Sequence, residues 1–118
     1  MKIAFVSDDG ITIHRHFGRA LQYVIVTIEG GRETSREIRA KSDSHGHSHA
    51  DPAQDHHDAL LAVIADCQLV VAGGMGAGMD ERLRGGGITP IRTRILAIDT
   101  AVERYLSGRL ADTIELVR

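Results

Sequence analysis

Short apolar runs broken by turn-forming residues dominate the first third of the chain. Residues 2–7 form one such run and end at Asp-Asp-Gly, which is typical of a buried strand. Residues 21–29 are rich in β-branched side chains, and residues 32–40 alternate more loosely after Gly30 and Gly31. Two strands joined by a Gly-Gly pair predict a β-hairpin.

The remaining strands and loops follow from the same pattern. Residues 68–72 and 88–92 are short apolar runs that predict two further strands, and Pro90 favours a position at the sheet edge for the second of them. Residues 8–20 are predicted to be a loop because glycines punctuate them. Residues 41–54 are polar and His-rich, without apolar periodicity, and predict a flexible loop.

Three segments have helical character. In residues 55–66, Leu60, Leu61 and Ile64 fall on one face, and Asp55 is a candidate N-cap. Residues 79–85 predict a short helix that stops at a run of three glycines. A third helix, which Asp99 or Thr100 can cap, is expected to run through Ser107, with Gly108 ending it. Residues 109–118 have mixed character.

This order of elements predicts an α/β fold. An antiparallel hairpin followed by alternating helices and strands implies a mixed sheet with helices on its faces. Because ligands tend to bind at the carboxyl ends of parallel strands, the loop after the first strand and the loop after Val71 are expected to lie near each other.

Composition narrows the class of protein. A length of 118 residues favours one domain, and 42% hydrophobic residues with only 3% aromatics imply an aliphatic core. The formal net charge of −2 argues against a protein that binds duplex nucleic acid. A single cysteine, no signal-peptide pattern and no apolar run of about 20 residues make the cytoplasm the expected location, with no membrane partner. Seven histidines are the compositional feature that needs an explanation.

The first candidate site is the segment His14-Arg15-His16-Phe17-Gly18-Arg19. Two imidazoles two residues apart point the same way in extended backbone, and imidazole binds iron, zinc, copper or nickel. The arginines could offset the charge of an anionic ligand. A structural loop in which His16 hydrogen-bonds to backbone is the competing interpretation.

The second candidate is the glycine-rich segment Gly73-Gly74-Met75-Gly76-Ala77-Gly78, between a buried strand and a helix. Such a loop presents backbone N–H groups and a helix N-terminus to an anion. The segment matches neither the P-loop nor the dinucleotide fingerprint. The Met75 thioether could face a sulfur-bridged metal cluster, although a tight turn with Met75 in the core explains the pattern equally well.

The third candidate is the His-rich tract with His45, His47 and His49, followed by His56 and His57. It could bind a divalent metal, but a solvated loop is the favoured interpretation, and its spacing matches no zinc finger. Cys67 is assigned to the core rather than to a metal site.

Signals for catalysis are weak. The chain has no nucleophile-elbow motif. Asp8, Asp9, Asp51 and Asp99 could form a carboxylate metal site for nucleic-acid hydrolysis only if the fold brings them together.

Several stretches resemble the dinitrogenase iron–molybdenum cofactor-binding family, the domain of NifX, of the NifB C-terminal region and of the NafY core. The resemblance is carried by Ile3 to Ile28 with His16-Phe17-Gly18-Arg19-Ala20, by Val70-Val71-Ala72-Gly73-Gly74-Met75-Gly76, by Leu83 to Ile88, and by Ala101 to Leu110. It covers nearly the whole chain, and residues 1–118 are expected to be one stand-alone domain of this kind.

The resemblance implies a ribonuclease H-like α/β fold with a five-stranded mixed sheet and three helices. It also implies non-catalytic binding and carriage of an iron–molybdenum cofactor, its precursor or another molybdenum-containing or iron–sulfur cluster, in nitrogen fixation or a related pathway. His16 is then the best metal ligand, and the residues expected around the cluster are His14, His16, Phe17, Gly18, Arg19, Gly73, Gly74, Met75 and Gly76.

Two other functions remain open at this point. One is a metal-dependent nuclease of ribonuclease H-like fold using Asp8 and Asp99, and the other is a divalent-metal buffer using His45, His47 and His49. For the cluster carrier, the expected partners are proteins that donate or accept the cluster. The chain is expected to be a monomer or a weak dimer.

Overall fold

A computed structural model of the protein describes residues 1–40 and 60–113. Five strands are present, namely β1 (Lys2–Ser7), β2 (Gln22–Glu29), β3 (Arg32–Ala40), β4 (Leu69–Ala72) and β5 (Thr89–Arg92). The helices are α1, whose described helical residues are 60–63, α2 (Ala77–Gly85) and α3 (Ile98–Leu106), with a short 3₁₀ helix over Phe17–Arg19.

The strands form one mixed sheet in the order β3-β2-β1-β4-β5. β1 pairs antiparallel with β2 and parallel with β4, and β4 pairs parallel with β5. The predicted α/β class, the five-stranded mixed sheet and the three helices are confirmed, and this strand order is compatible with the ribonuclease H-like motif. β5 lies at the sheet edge, as Pro90 predicts.

The hairpin between β2 and β3 is confirmed. Gly30 and Gly31 occupy its turn with φ values of 61° and 77°. Two consecutive positive φ angles are what a two-residue turn needs to match the twist of the flanking strands, and glycine adopts them without a steric penalty.

The central strand β1 is buried on both faces, and this divides the core in two. Ala4 and Val6 pack with residues of α1 and α2, including Leu60 and Leu83. The alternate residues of β1, Ile3 and Phe5, pack on the opposite face, against α3. Period-two alternation along the strand therefore serves two apolar layers.

The boundaries of two helices differ from the predicted ones. α1 stops at residue 63, because a tighter turn with i to i+3 hydrogen bonds follows, from the Ile64 amide to the Leu61 carbonyl and from the Cys67 amide to the Ile64 carbonyl. α2 begins at Ala77, two residues before the predicted start. The predicted cap Asp55 and the predicted loop over residues 41–54 lie outside the described residues.

The predicted N-caps of α3, Asp99 and Thr100, are wrong, whereas Gly108 follows the end of the helix as predicted. The N-cap is Ala97, whose side chain makes no capping hydrogen bond. The amide of Ile98 instead donates to the carbonyl of Ile11 at 3.0 Å, so a distant loop satisfies one of the free N–H groups of the first turn. Within residues 1–40 and 60–113, no helix combines the length and the apolar character that crossing a bilayer requires.

Candidate functional site

The loop between β1 and β2 is shaped first by Asp9. Its carboxylate accepts hydrogen bonds from the amides of Ile11 and Thr12 at 2.8 and 2.7 Å and from the Ser7 hydroxyl at 3.2 Å. The amide of Thr12 contributes most to lowering the pKa of Asp9, from 3.8 to about 2, and the amide of Ile11 adds to the effect. The carboxylate thus folds the start of the loop back on itself, and Gly10 in this turn has a φ of 80°.

His14 fixes the next part of the loop through its main chain. Its amide donates to the carbonyl of Val6 at 2.8 Å, and its carbonyl accepts from the amide of Gly73 at 2.8 Å. The loop is therefore tied both to the end of β1 and to the segment after β4.

A second hydrogen bond joins the same two segments. The amide of Phe17 donates to the carbonyl of Gly74 at 3.0 Å. A Cβ atom on Gly73 would lie only 2.7 Å from the Cα atom of Arg15, so glycine is required where the backbones touch. The predicted proximity of the His loop (residues 14–19) and the glycine turn (residues 73–76) is confirmed.

The His loop and the glycine turn enclose a cavity of about 290 Å³. It is lined by His16, Phe17, Gly18, Arg19, Gly74, Met75, Gly76 and Met79. Phe17 and Met75 are almost fully buried, and Arg19 is exposed at the rim. None of the described residues that line the cavity carries a carboxylate.

The floor of the cavity is anchored from below by Arg92, whose side chain is 3% exposed. Its Nε donates to the carbonyl of Met75 at 3.3 Å, and its Nη1 donates to both carboxylate oxygens of Asp112 at 3.0 and 3.2 Å. Its Nη2 donates to Asp80 in the first turn of α2. The guanidinium charge is therefore neutralised by carboxylates and holds the glycine turn in place.

Seven of the residues predicted to surround a cluster line this cavity, and the others fall elsewhere. Gly73 contacts the His loop from beneath but is not among the lining residues. His14 is not among them either, and its ring faces protein groups. His45, His47 and His49 lie outside the described residues.

Sequence reasoning missed Met79 as a residue of the site. It lies in the first turn of α2 and lines the cavity beside Met75. The signal that could have found it is its spacing, since a residue four positions after Met75 stands one helical turn beyond a loop already assigned to ligand binding.

Of the carboxylates considered for nuclease chemistry, Asp8 and Asp99 make separate contacts, and Asp51 lies outside the described residues. Asp8 faces His14 and Leu21, whereas Asp99 pairs with Arg36 at 2.8 Å. Among residues 1–40 and 60–113, no group of three or more His, Cys, Asp or Glu side chains is arranged to hold a metal ion.

Comparison with known proteins agrees with this fold. A family model described as the dinitrogenase iron-molybdenum cofactor family matches residues 1–108. No curated protein matches the chain significantly.

Several solved structures share the fold. The orange protein of Desulfovibrio gigas, in its apo form, is 21% identical, with a TM-score of 0.72, and the match covers 95% of this chain and 92% of that protein. A Methanocaldococcus jannaschii protein provisionally assigned as a dinitrogenase is 14% identical, with a TM-score of 0.69 and coverage of 96% and 94%. A Thermotoga protein provisionally assigned as NifB is 19% identical, with a TM-score of 0.66 and coverage of 94% and 91%.

Proposed function

Since the chain belongs to the dinitrogenase iron-molybdenum cofactor family, we propose that it binds a metal–sulfur cluster as cargo and carries or helps to assemble it without catalysing a reaction. The cargo is the iron–molybdenum cofactor, its precursor or another molybdenum-containing or iron–sulfur cluster. The observation that carries the proposal is the single cavity that the His loop and the glycine turn form together.

The groups around this cavity suit such a cargo. The imidazole of His16 can ligate a metal at the surface of a cluster, and the thioethers of Met75 and Met79 are soft groups compatible with sulfur-rich metal sites. Arg19 places a positive charge at the rim, opposite in sign to an anionic cluster. The chain would contribute few bonds of its own, because the cluster's metals are already held by its bridging sulfides.

The glycine turn supplies room and backbone dipoles. Gly74 and Gly76 line the cavity without side chains that would fill it. α2 starts at Ala77 directly after Gly76, an N-cap residue that has no side chain to cap the first turn. The N-terminal end of a helix carries partial positive charge, so this edge of the cavity also favours an anion.

A carrier explains the site better than a nuclease does. Phosphodiester hydrolysis with metal ions needs converging carboxylates, and the described cavity lining has none. Release to an acceptor protein needs a cargo held by few ligands at an open surface, and one imidazole at the edge of a surface cavity meets that need. We therefore propose donor and acceptor proteins of the cluster as its partners, in the cytoplasm.

The test is reconstitution without oxygen. Parent protein and His16→Ala are titrated with tetrathiomolybdate, a simple molybdenum–sulfur anion, and separately with a preformed iron–sulfur cluster, and bound metal and visible absorption are measured after gel filtration. We expect His16→Ala to bind at least about tenfold more weakly, because it loses the one imidazole among the described residues that line the cavity. Equal affinity of the two proteins for both probes would refute the assigned role of His16.

Deletion of residues 45–49 is the matched control, since it removes three histidines and leaves every described residue of the cavity lining in place. The deletion variant is expected to bind both probes like the parent and to lose only weak zinc or nickel binding. If cluster binding disappears with the deletion and survives His16→Ala, the His-rich tract is the site and the cavity is not.

A further inference from the structure

A chain of contacts links Asp8 to the main chain of His16 through the half-buried ring of His14. We propose that Asp8 and His14 are positioning residues that hold the backbone of His16, and thereby its imidazole, in the orientation that the cavity requires. The inference rests on the proposed function for its consequence in binding, whereas the contact chain itself can be tested in the protein without cargo.

The first link is a side-chain to main-chain hydrogen bond. The amide of His16 donates to Nδ1 of His14 at 2.9 Å. A ring nitrogen can accept only if it carries no proton, so the neutral ring of His14 must have its proton on Nε2. The tautomer of His14 and the backbone position of His16 therefore depend on each other.

The second link explains why that tautomer is favoured. Nε2 of His14 lies 3.4 Å from Oδ2 of Asp8, and an ionised carboxylate can only accept a hydrogen. An acceptor beside Nε2 keeps the proton on that nitrogen and leaves Nδ1 free for the His16 amide. The same arrangement, a carboxylate behind an imidazole, orients histidines around metal sites in general.

The other carboxylate oxygen of Asp8 binds the end of the β1–β2 loop that precedes β2. Oδ1 accepts from the amide of Leu21 at 2.8 Å, immediately before β2 begins. One carboxylate thus lies beside the ring of His14 and bonds to the exit of the loop that contains His16. Loss of Asp8 would release both contacts at once.

The main chain of His14 is itself held in place by hydrogen bonds, which fixes the position of the contact between His14 and Asp8. Its amide and carbonyl are bonded to Val6 and Gly73, and its side chain is only 22% exposed. Both ring nitrogens already face protein groups, and the ring is not among the residues that line the cavity. Of the two histidines in the loop, His14 is therefore assigned to positioning and His16 to contact with the cargo.

The first experiment measures the tautomer in the protein without cargo. Imidazole ¹⁵N chemical shifts of His14 are expected to show the Nε2–H form in the parent at neutral pH. In Asp8→Asn, the Leu21 amide selects the side-chain oxygen, so the new NH₂ group faces Nε2 and donates to it. His14 should then change to the Nδ1–H form and lose its bond to the His16 amide. A parent ring in the Nδ1–H form, or no change in the variant, would overturn the inference.

The second experiment separates positioning from ligation. His14→Leu removes the acceptor, whereas His14→Asn restores a side-chain oxygen that can accept from the amide two residues later. With tetrathiomolybdate as the probe, we expect His14→Leu to bind roughly ten- to a hundredfold more weakly and His14→Asn to recover most of the affinity. The visible spectrum of the bound probe should match the parent in both variants, because the metal contact through His16 is retained.

Two outcomes would contradict the assignment. Parent-like affinity in His14→Leu would show that the hydrogen bond to His16 has no effect on binding. An altered spectrum in His14→Asn would make His14 itself a ligand. If the parent binds neither probe, the proposed function fails, and the ¹⁵N measurement still decides whether Asp8 and His14 hold the His16 main chain. Should His14→Leu not fold, Asp8→Asn provides the same test through the tautomer.

Discussion

At the scale of the residue, Gly73 is the point where the two halves of the cavity touch. Its amide binds the carbonyl of His14, and a Cβ atom there would lie 2.7 Å from Arg15 Cα and 3.1 Å from the His14 carbonyl oxygen. The atoms that a side chain would meet belong to the backbone, which cannot rotate away as a side chain can. The close approach of the two loops therefore depends on the absence of a side chain at this one position.

Gly73→Ala is expected to lower the free energy of unfolding by about 1–3 kcal/mol, because the His loop must shift to admit the methyl group. Urea denaturation measures this change, and probe binding should weaken with it. Gly78→Ala is the matched control, since a Cβ there meets nothing within 4 Å and Gly78 lies in α2. Alanine is the better helix former, so the control should leave stability unchanged or raise it by up to about 1 kcal/mol. Equal effects of the two substitutions would contradict the close-approach argument.

At the scale of the element, Arg92 joins three segments that the sheet alone does not connect. It leaves β5, reaches Asp80 in α2, supports the Met75 carbonyl in the glycine turn and pairs with Asp112 near the end of the described chain. The amide of Thr113 also donates to the Arg92 carbonyl at 2.9 Å, which extends pairing along the sheet edge. The position of α2 relative to β5 thus depends on a single buried cation.

Arg92→Met is expected to destabilise the protein by about 2–4 kcal/mol, because it leaves two carboxylates without their buried partner. This loss of stability is smaller than that expected for a fully buried ion pair, because the side chains of Asp80 and Asp112 are 16% and 26% exposed. Arg84→Met is the control: this arginine also pairs with Asp80 but is 53% exposed, and its loss should change stability by less than about 1 kcal/mol. Thermal and urea unfolding measure the stability of both variants. If Arg92→Met loses as little stability as Arg84→Met, Arg92 does not anchor the glycine turn and α2.

At the scale of the whole molecule, Cys67 reports on how tightly the core is closed. It is the only cysteine, it is 3% exposed, and it lies in the core layer shared by β1, β4 and the helices α1 and α2. Burial raises the pKa of its thiol to about 11, and the charge of Asp66 adds to the effect. This agrees with its predicted place in the core.

We expect Cys67 in the folded protein to react with an aromatic disulfide reagent at pH 8 far more slowly than free cysteine does. At that pH a thiol of such pKa is ionised to roughly one part in a thousand, and the thiolate is the reactive form. Labelling should speed up in step with unfolding as urea is added, because access requires opening of the core layer. Release of the reagent's chromophore follows the reaction, and a labelling rate like that of free cysteine without urea would show that the layer opens locally.

Local sequence patterns were sufficient to predict most of the strands and helices. A short apolar run, β-branched side chains and Gly-Gly punctuation located β1, β2 and β3, because strand and turn preferences act within a few residues. The apolar face of α1 and the edge position of Pro90 followed in the same way. Predicted helix ends were less accurate, since the first amide of α3 is satisfied by Ile11, which lies far from it in the sequence.

In the candidate site, too, some features follow from the sequence and others only from the tertiary structure. The sequence by itself determined which chemical groups are available: two imidazoles, a glycine turn and an arginine beside them, in loops that follow β1 and β4. Only the tertiary structure decided their positions, because Val6 and Gly73 hold the main chain of His14 and Asp8 lies beside its ring, while His16 lines the cavity. Two identical side chains in one loop differ only through neighbours that folding brings to them, and no pattern of nearby residues contains that information.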